Sequence, residues 1–232
     1  MKQQKNIFST VLMTMGSFLF LAILPIWTTI CGVLIILISF VSDDIAHKIP
    51  NIWGKTGLII LKYLTGLKVD VQNMPKNLSG EIIASEHQSA FEILTLLGHV
   101  PKAVFVLKKS IMKVPIIGYA LKRLRMIPIS RSKFNANWMD IAQKNLQDGY
   151  NIIIFPEGRR IEFGTEVEYR SGAFKLAQHT KKKIIPVAID TGKFWSRRSF
   201  LKKSGTSKII FGKPIEPKPE LLRKTVKTLL PR

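Results

Sequence analysis

From residue 6 to residue 41 the chain carries no charged side chain. The stretch includes FLFLAILPIW and ICGVLIILISFV and is flanked by Lys2 and Lys5 on one side and by a basic body on the other. As one straight helix, these residues would reach about 54 Å, against roughly 30 Å of hydrocarbon in a bilayer. Two full spans would need about 40 apolar residues. Pro25 falls near the middle, where it would kink or break a helix. The expectation is an N-terminal apolar helical hairpin that dips into one leaflet, or two short tilted spans. A secretory signal fits poorly, because the apolar stretch is too long and no small-residue cleavage site follows. Positive charge on both flanks places both on the cytoplasmic side. Residues 1–62 then read as membrane-anchoring helices and 63–232 as the working domain.

Composition narrows the partners. Lys and Arg number 36 against 15 acids, a net charge of +21. Such a balance calls for an anionic partner: anionic membrane lipids, a phosphorylated substrate or nucleic acid. Basic residues pressed against anionic lipid would contribute about 1 kcal/mol each. The single cysteine, Cys31, excludes an intramolecular disulfide and lies in the apolar stretch as small hydrophobic filler. His47, His99 and His179 stand apart in sequence, and no spacing suggests a metal site. There is no P-loop, no Gly-x-Gly-x-x-Gly and no Gly-x-Ser-x-Gly.

Beyond residue 41 the pattern becomes globular. Residues 43–63 mix polar and apolar positions at helical spacing. Strand-like runs follow at 68–71, 81–85, 103–107, 126–130, 151–155, 184–189 and 208–211. They alternate with helix-like runs at 89–98, 110–124, 134–148, 172–180 and 219–229. Residues 72–80 read as a turn between two strands. Alternation of this kind predicts an α/β fold with a mostly parallel central sheet flanked by helices.

Two polar elbows fall at predicted strand ends, where α/β folds place ligands. In the first, IIASEHQSAFE, the strand ends at His87 and a helix opens near Ser89. Glu92, five positions on, can return beside the imidazole, hold one ring N–H and leave the other nitrogen as a general base. The same letters spell a capping box, with Ser89 as N-cap and Glu92 reaching back to it. In the second, NIIIFPEGRR, a buried strand runs into Glu157, Gly158, Arg159 and Arg160. Gly158 permits close backbone approach, and the paired arginines can fork onto a phosphate. Between the elbows, 108–131 carries seven basic residues among apolar ones, as an amphipathic basic helix would. Arg131, just after a predicted strand, is its best phosphate ligand.

Taken together, these blocks resemble the glycerolipid acyltransferase family, in particular the lysophosphatidate (1-acyl-sn-glycerol-3-phosphate) acyltransferases of bacterial type. HQSAFE (87–92) is similar to the family's His-x-x-x-x-Asp box in its Glu variant. GYALKRLRMIPISR (118–131), FPEGRR (155–160) and IIPVAI (184–189) resemble the next three blocks, in order. The likeness covers roughly 60–215. Three departures stand out: Glu92 replaces the commoner Asp, Arg159 takes a usual Thr position, and Arg125 stands where Gly is common. The resemblance implies a fatty acyl transfer from acyl-carrier protein or coenzyme A to the free hydroxyl of lysophosphatidate, giving phosphatidate. In that scheme His87 is the base and Glu92 its orienter. Glu157, Gly158 and Arg160 meet the acceptor, and Arg131 and Lys108 lie near its phosphate. The thioester is a co-substrate and no cofactor is implied. The expected place is the cytoplasmic face of a bacterial inner membrane. A lyso-ornithine lipid is an alternative acceptor. A membrane-anchored nucleic-acid binder would also suit the charge, but no recognition motif supports one, so nucleic acid is not expected.

Overall fold

The computed structural model describes residues 2–130 and 137–231, with side chains from residue 10 onward. The apolar N-terminus is one helix, α1 (Lys2–Ile38), which continues through Pro25. The break expected at Pro25 does not occur. A short α2 (Asp43–Ala46) leads into α3 (Ile49–Thr65), which returns antiparallel along α1. The hairpin therefore turns at residues 39–48. Its contacts explain why the proline is tolerated. Trp53 Nε1 donates to Thr28 Oγ1, and a Cβ on Gly16 would collide with the Leu64 carbonyl. Close packing along both arms holds α1 together across the one missing backbone N–H. The stretch Thr10–Ile38 is long and apolar enough to cross a membrane. Its outer side exposes Leu12, Met15, Phe18 and Ile26, with Ile52, Ile59 and Tyr63 of α3 exposed beside it.

The body is a seven-stranded sheet. Its strands are β1 (Leu67–Gln72), β2 (Ile82–Ser85), β3 (Ala103–Lys108), β4 (Ile127–Ile129), β5 (Asn151–Ile154), β6 (Ile184–Ile189) and β7 (Gly205–Phe211). Their order is β1-β7-β6-β2-β5-β3-β4, and every pairing is parallel except β6 with β7. Strands β2, β5 and β6 are buried at every residue. They read as unbroken apolar runs because helices cover both faces. The flanking helices are α4 (Phe91–His99), α5 (Ile117–Arg123), α6 (Asn137–Gln147), α7 (Gly172–His179), α8 (Thr191–Phe194) and α9 (Pro219–Leu229).

One expectation is corrected. Residues 110–124 are not one helix: a 3-10 turn (Lys109–Lys113) and α5 are separated around Pro115, which cannot donate to a continuing ladder. Residues 72–80 do connect two strands, β1 and β2, which lie apart in the sheet with β7 and β6 between them.

The hairpin is tied to the body at several points. Cys31, Ile35 and Ile49 belong to the main hydrophobic core. Nearer its N-terminus, α1 is gripped by the loop before β7. Lys202 N donates to Ser17 Oγ, and the fully buried Lys202 amine donates to Phe200 O while facing the rings of Trp195 and Phe20.

Arg125 explains one departure from the family pattern. Its φ is +58°, a left-handed conformation that glycine adopts without a Cβ penalty. Its guanidinium pairs with Asp148 at 2.6 Å and lies over the Tyr150 ring. The two contacts offset the backbone cost. Arg125→Ala keeps the strain and loses both contacts, whereas Arg125→Gly loses the contacts and relieves the strain. The glycine variant should be the more stable of the two by about 1 kcal/mol, read from paired denaturation curves.

Candidate active site

Strand β2 runs to Ser85 at the middle of the sheet and delivers His87 to its carboxyl edge, just ahead of α4. His87 Nδ1 lies 2.8 Å from Glu92 Oε1. The backbone N–H groups of Gln88 and Ser89 donate to the same oxygen at 2.8 and 2.7 Å, and Thr191 Oγ1 donates to Oε2 at 2.8 Å. Glu92 is 0% exposed. A carboxylate so surrounded accepts only, so the Nδ1 proton sits on the imidazole and Nε2 keeps its lone pair. Against the side of His87 the Phe155 ring is stacked at 4.0 Å and 11°. The imidazole is thus fixed in both tautomer and orientation.

The capping-box reading is half right. Ala90, not Ser89, is the N-cap of α4, and it makes no side-chain cap bond. Glu92 nonetheless reaches back to the Ser89 amide as a box glutamate would. One carboxylate serves both the helix start and the histidine.

Around it, the polar elbow is stitched down by groups that sequence reasoning missed. Gln88 Nε2 donates to Ile189 O and its Oε1 accepts from Gly192 N. Glu86 Oε2 accepts from Ile189 N. Thr191 and Gly192 come two and three residues after the predicted strand 184–189, so a strand-end position was the available signal for them.

The second elbow follows β5. Ile161 N donates to His87 O, which joins the two elbows. Gly158 has φ +64°, and a Cβ there would strike the Arg170 side chain at 2.6 Å. Glu157 is buried, 4% exposed, and neither of its oxygens has a hydrogen-bond partner among the described residues. Burial pushes its carboxyl up to about 8, and the charges of Glu86 and Glu92 act in the same direction. It is therefore protonated in the neutral folded protein. A carboxyl with a raised pKa lends stability that is lost as pH climbs from the unfolded value of 4.5 to about 8. Glu157→Gln mimics the protonated form and does not titrate. The melting temperature of wild type relative to this variant should fall between pH 5 and 8 and level off above. A difference that is flat across that range counts against the assignment.

His87, Gly158, Arg159, Arg160 and Lys108 line one cleft of about 630 Å³. Glu92 and Glu157 lie beneath its wall rather than in it. The Arg131 assignment lies outside the described residues. One half of the cleft is apolar, built from Leu97, Val106, Leu121, Met126 and Ile129 with Lys108 at its rim; the other carries arginines, including Arg170 and Arg197, which the sequence reading did not single out. Arg170 stands two residues before a predicted helix, and that position was its only signal. Among the described residues, no group of three or more His, Cys, Asp or Glu could hold a metal.

A carboxylate-clamped histidine at a strand end, facing a cleft with apolar and cationic lining, is a site suited to take a proton from a hydroxyl. Residues 67–190 match the family described as Acyltransferase, and the chain belongs to that family. All four motif blocks fall inside the matched span. The 1-acyl-sn-glycerol-3-phosphate acyltransferase of Pseudomonas aeruginosa is 29% identical over 166 residues, 69% of this chain and 64% of that protein. Its counterpart from Haemophilus influenzae is 28% identical over 169 residues, 68% of this chain and 69% of that one. The chain spans 48% of a chloroplastic relative from Arabidopsis thaliana. In fold, it is similar to the crystal structure of the 1-acyl-sn-glycerophosphate acyltransferase from Thermotoga maritima. The TM-score is 0.77, with 21% identity, over 95% of this chain and 94% of that one.

Proposed function

We propose that this protein is a membrane-bound O-acyltransferase. It moves a fatty acyl group from acyl-carrier protein or coenzyme A to the free hydroxyl of 1-acyl-sn-glycerol-3-phosphate, giving phosphatidate. The observation that carries the reading is the His87–Glu92 pair, with Nε2 left unbonded by any described residue at the junction of the apolar and cationic halves of the cleft. The acyl chain lies along the apolar half, and the thioester carbonyl sits by His87. His87 Nε2 takes the proton from the acceptor hydroxyl as its oxygen bonds the carbonyl carbon. The C–S bond then breaks, and the departing thiolate takes that proton from the imidazolium. A thioester is already activated, so a positioned base suffices and no acyl-enzyme is needed. Arg160 and Lys108, in the cleft with Gly158, hold the acceptor phosphate, and Arg131 is assigned to it with them.

Residues 1–62 are the anchor and 63–232 the catalytic domain. The exposed apolar side of α1 and α3 enters the lipid from the cytoplasmic face of a bacterial inner membrane, and the basic body attracts its anionic headgroups. Thiol release tests the reading directly, using purified protein with either acyl donor and either lysophosphatidate or a lyso-ornithine lipid. Turnover with lysophosphatidate is expected. Turnover confined to lyso-ornithine lipid would move the assignment to that acceptor, and no thioester consumption with either would refute it.

A further inference from the structure

Four guanidinium groups crowd the cationic half of the cleft: Arg159, Arg160, Arg170 and Arg197. The arginine–carboxylate pairs among the described residues are those of Arg123, Arg125 and Arg223, so none of the four is matched by an acid. A single phosphate carries at most two negative charges, and four arginines exceed what one acceptor headgroup neutralises. Two of the four are held in place by separate segments. Arg170 N donates to Pro156 O at 2.8 Å, and its stem lies on Gly158, whose missing Cβ makes room for it. Arg197, beyond α8, reaches across to the Arg160 carbonyl with Nη1 at 3.4 Å.

The topology says which anion they face. Strand order places β6, β2, β5, β3 and β4 side by side. The apolar half of the cleft lies at β3 and β4, and His87 projects from β2. Arg197 follows β6, on the far side of His87, and Arg170 stands just ahead of α7, in the crossover that carries the chain from β5 past β2 to β6. An acyl thioester donor is a linear molecule: acyl chain, thioester, pantetheine arm, phosphate. With the chain in the apolar half and the thioester at His87, the arm leaves toward the β6 side.

We propose that Arg170 and Arg197 form a second phosphate subsite that binds the phosphate at the end of the donor's phosphopantetheine arm, with side chains other than those that hold the acceptor phosphate. The inference rests on the acyl-transfer reading above. Both donor types carry this phosphate, so the subsite serves either, and charge-assisted arginine–phosphate bonds provide the recognition.

Arg170→Met and Arg197→Met keep the aliphatic stems and remove the charge. Each should raise the KM for acyl-coenzyme A, and for acyl-carrier protein if that is used, by about tenfold or more, leaving the KM for lysophosphatidate unchanged. Arg170→Lys should recover part of the loss. S-acyl pantetheine, which lacks the phosphate, should close the gap between wild type and variants, because the wild type loses the same contact. A raised KM for lysophosphatidate, or a gap that persists with S-acyl pantetheine, overturns the subsite. If the wild type transfers no acyl group from any donor, the acyltransferase reading falls and the subsite falls with it; normal wild-type turnover with unaffected variants sinks the subsite alone.

Discussion

His87→Ala should lower kcat by about 10²–10⁴-fold, the usual contribution of a positioned general base. The fold should survive. The imidazole lies at the cleft rather than in the core, and its loss leaves Glu92 Oε1 with two backbone donors and Oε2 with Thr191. The buried carboxylate is therefore still satisfied, and the severe cost of an orphaned charge does not arise. The space vacated beside Phe155 opens to the cleft, so it fills with water instead of leaving a dry cavity. Initial rates of thiol release at saturating acceptor and donor give kcat, and a melting curve controls for folding. A variant within tenfold of wild type, with an unchanged melting temperature, would remove His87 from the chemistry.

The sheet was largely legible because its strands are short, continuous apolar runs. A parallel strand buried on both faces has no alternating pattern to be mistaken for something else. All seven appear within a few residues of where the sequence put them, β7 starting three residues early. The failures occur where tertiary packing overrides a local signal. Pro25 is a strong breaker in isolation, yet α1 runs through it because α3 supports both of its sides. Pro115, with no comparable partner, does divide the helix. The pairing order was unreadable: nothing in β1 says that β7 and β6 will come between it and β2. The reactive pair was legible because its residues are five apart on one elbow. Arg170, Arg197 and Thr191 were not, because they reach the site only through the connections that follow β5 and β6. Arg125 shows the reverse case. A departure from a motif became interpretable only once its positive φ and its two compensating contacts were visible.

Glu92→Gln separates the two duties of the carboxylate. Glu92 Oε1 accepts three N–H bonds, from His87, Gln88 and Ser89. A glutamine carbonyl oxygen at that position can accept all three. The side-chain amide nitrogen then replaces Oε2, and the Thr191 hydroxyl turns to accept from it. The helix start and the histidine tautomer are both preserved, so the melting temperature should change little. The negative charge is lost. During attack His87 becomes an imidazolium, and in this fully buried surrounding the adjacent charge is worth far more than it would be in water. The kcat should fall by at least about 10²-fold, as it does when one preorganised electrostatic partner of a transition state is removed. Glu92→Asp keeps the charge on a shorter arm and should retain intermediate activity, in line with the Asp of the wider family. Because base and orienter act as one unit, His87→Ala combined with Glu92→Gln should be little slower than His87→Ala alone. If Glu92→Gln turns over near the wild-type rate, the carboxylate is a helix-start device that happens to touch His87, and the charge plays no part in catalysis. If the two losses multiply, the residues act independently and the pairing proposed from their 2.8 Å contact is wrong.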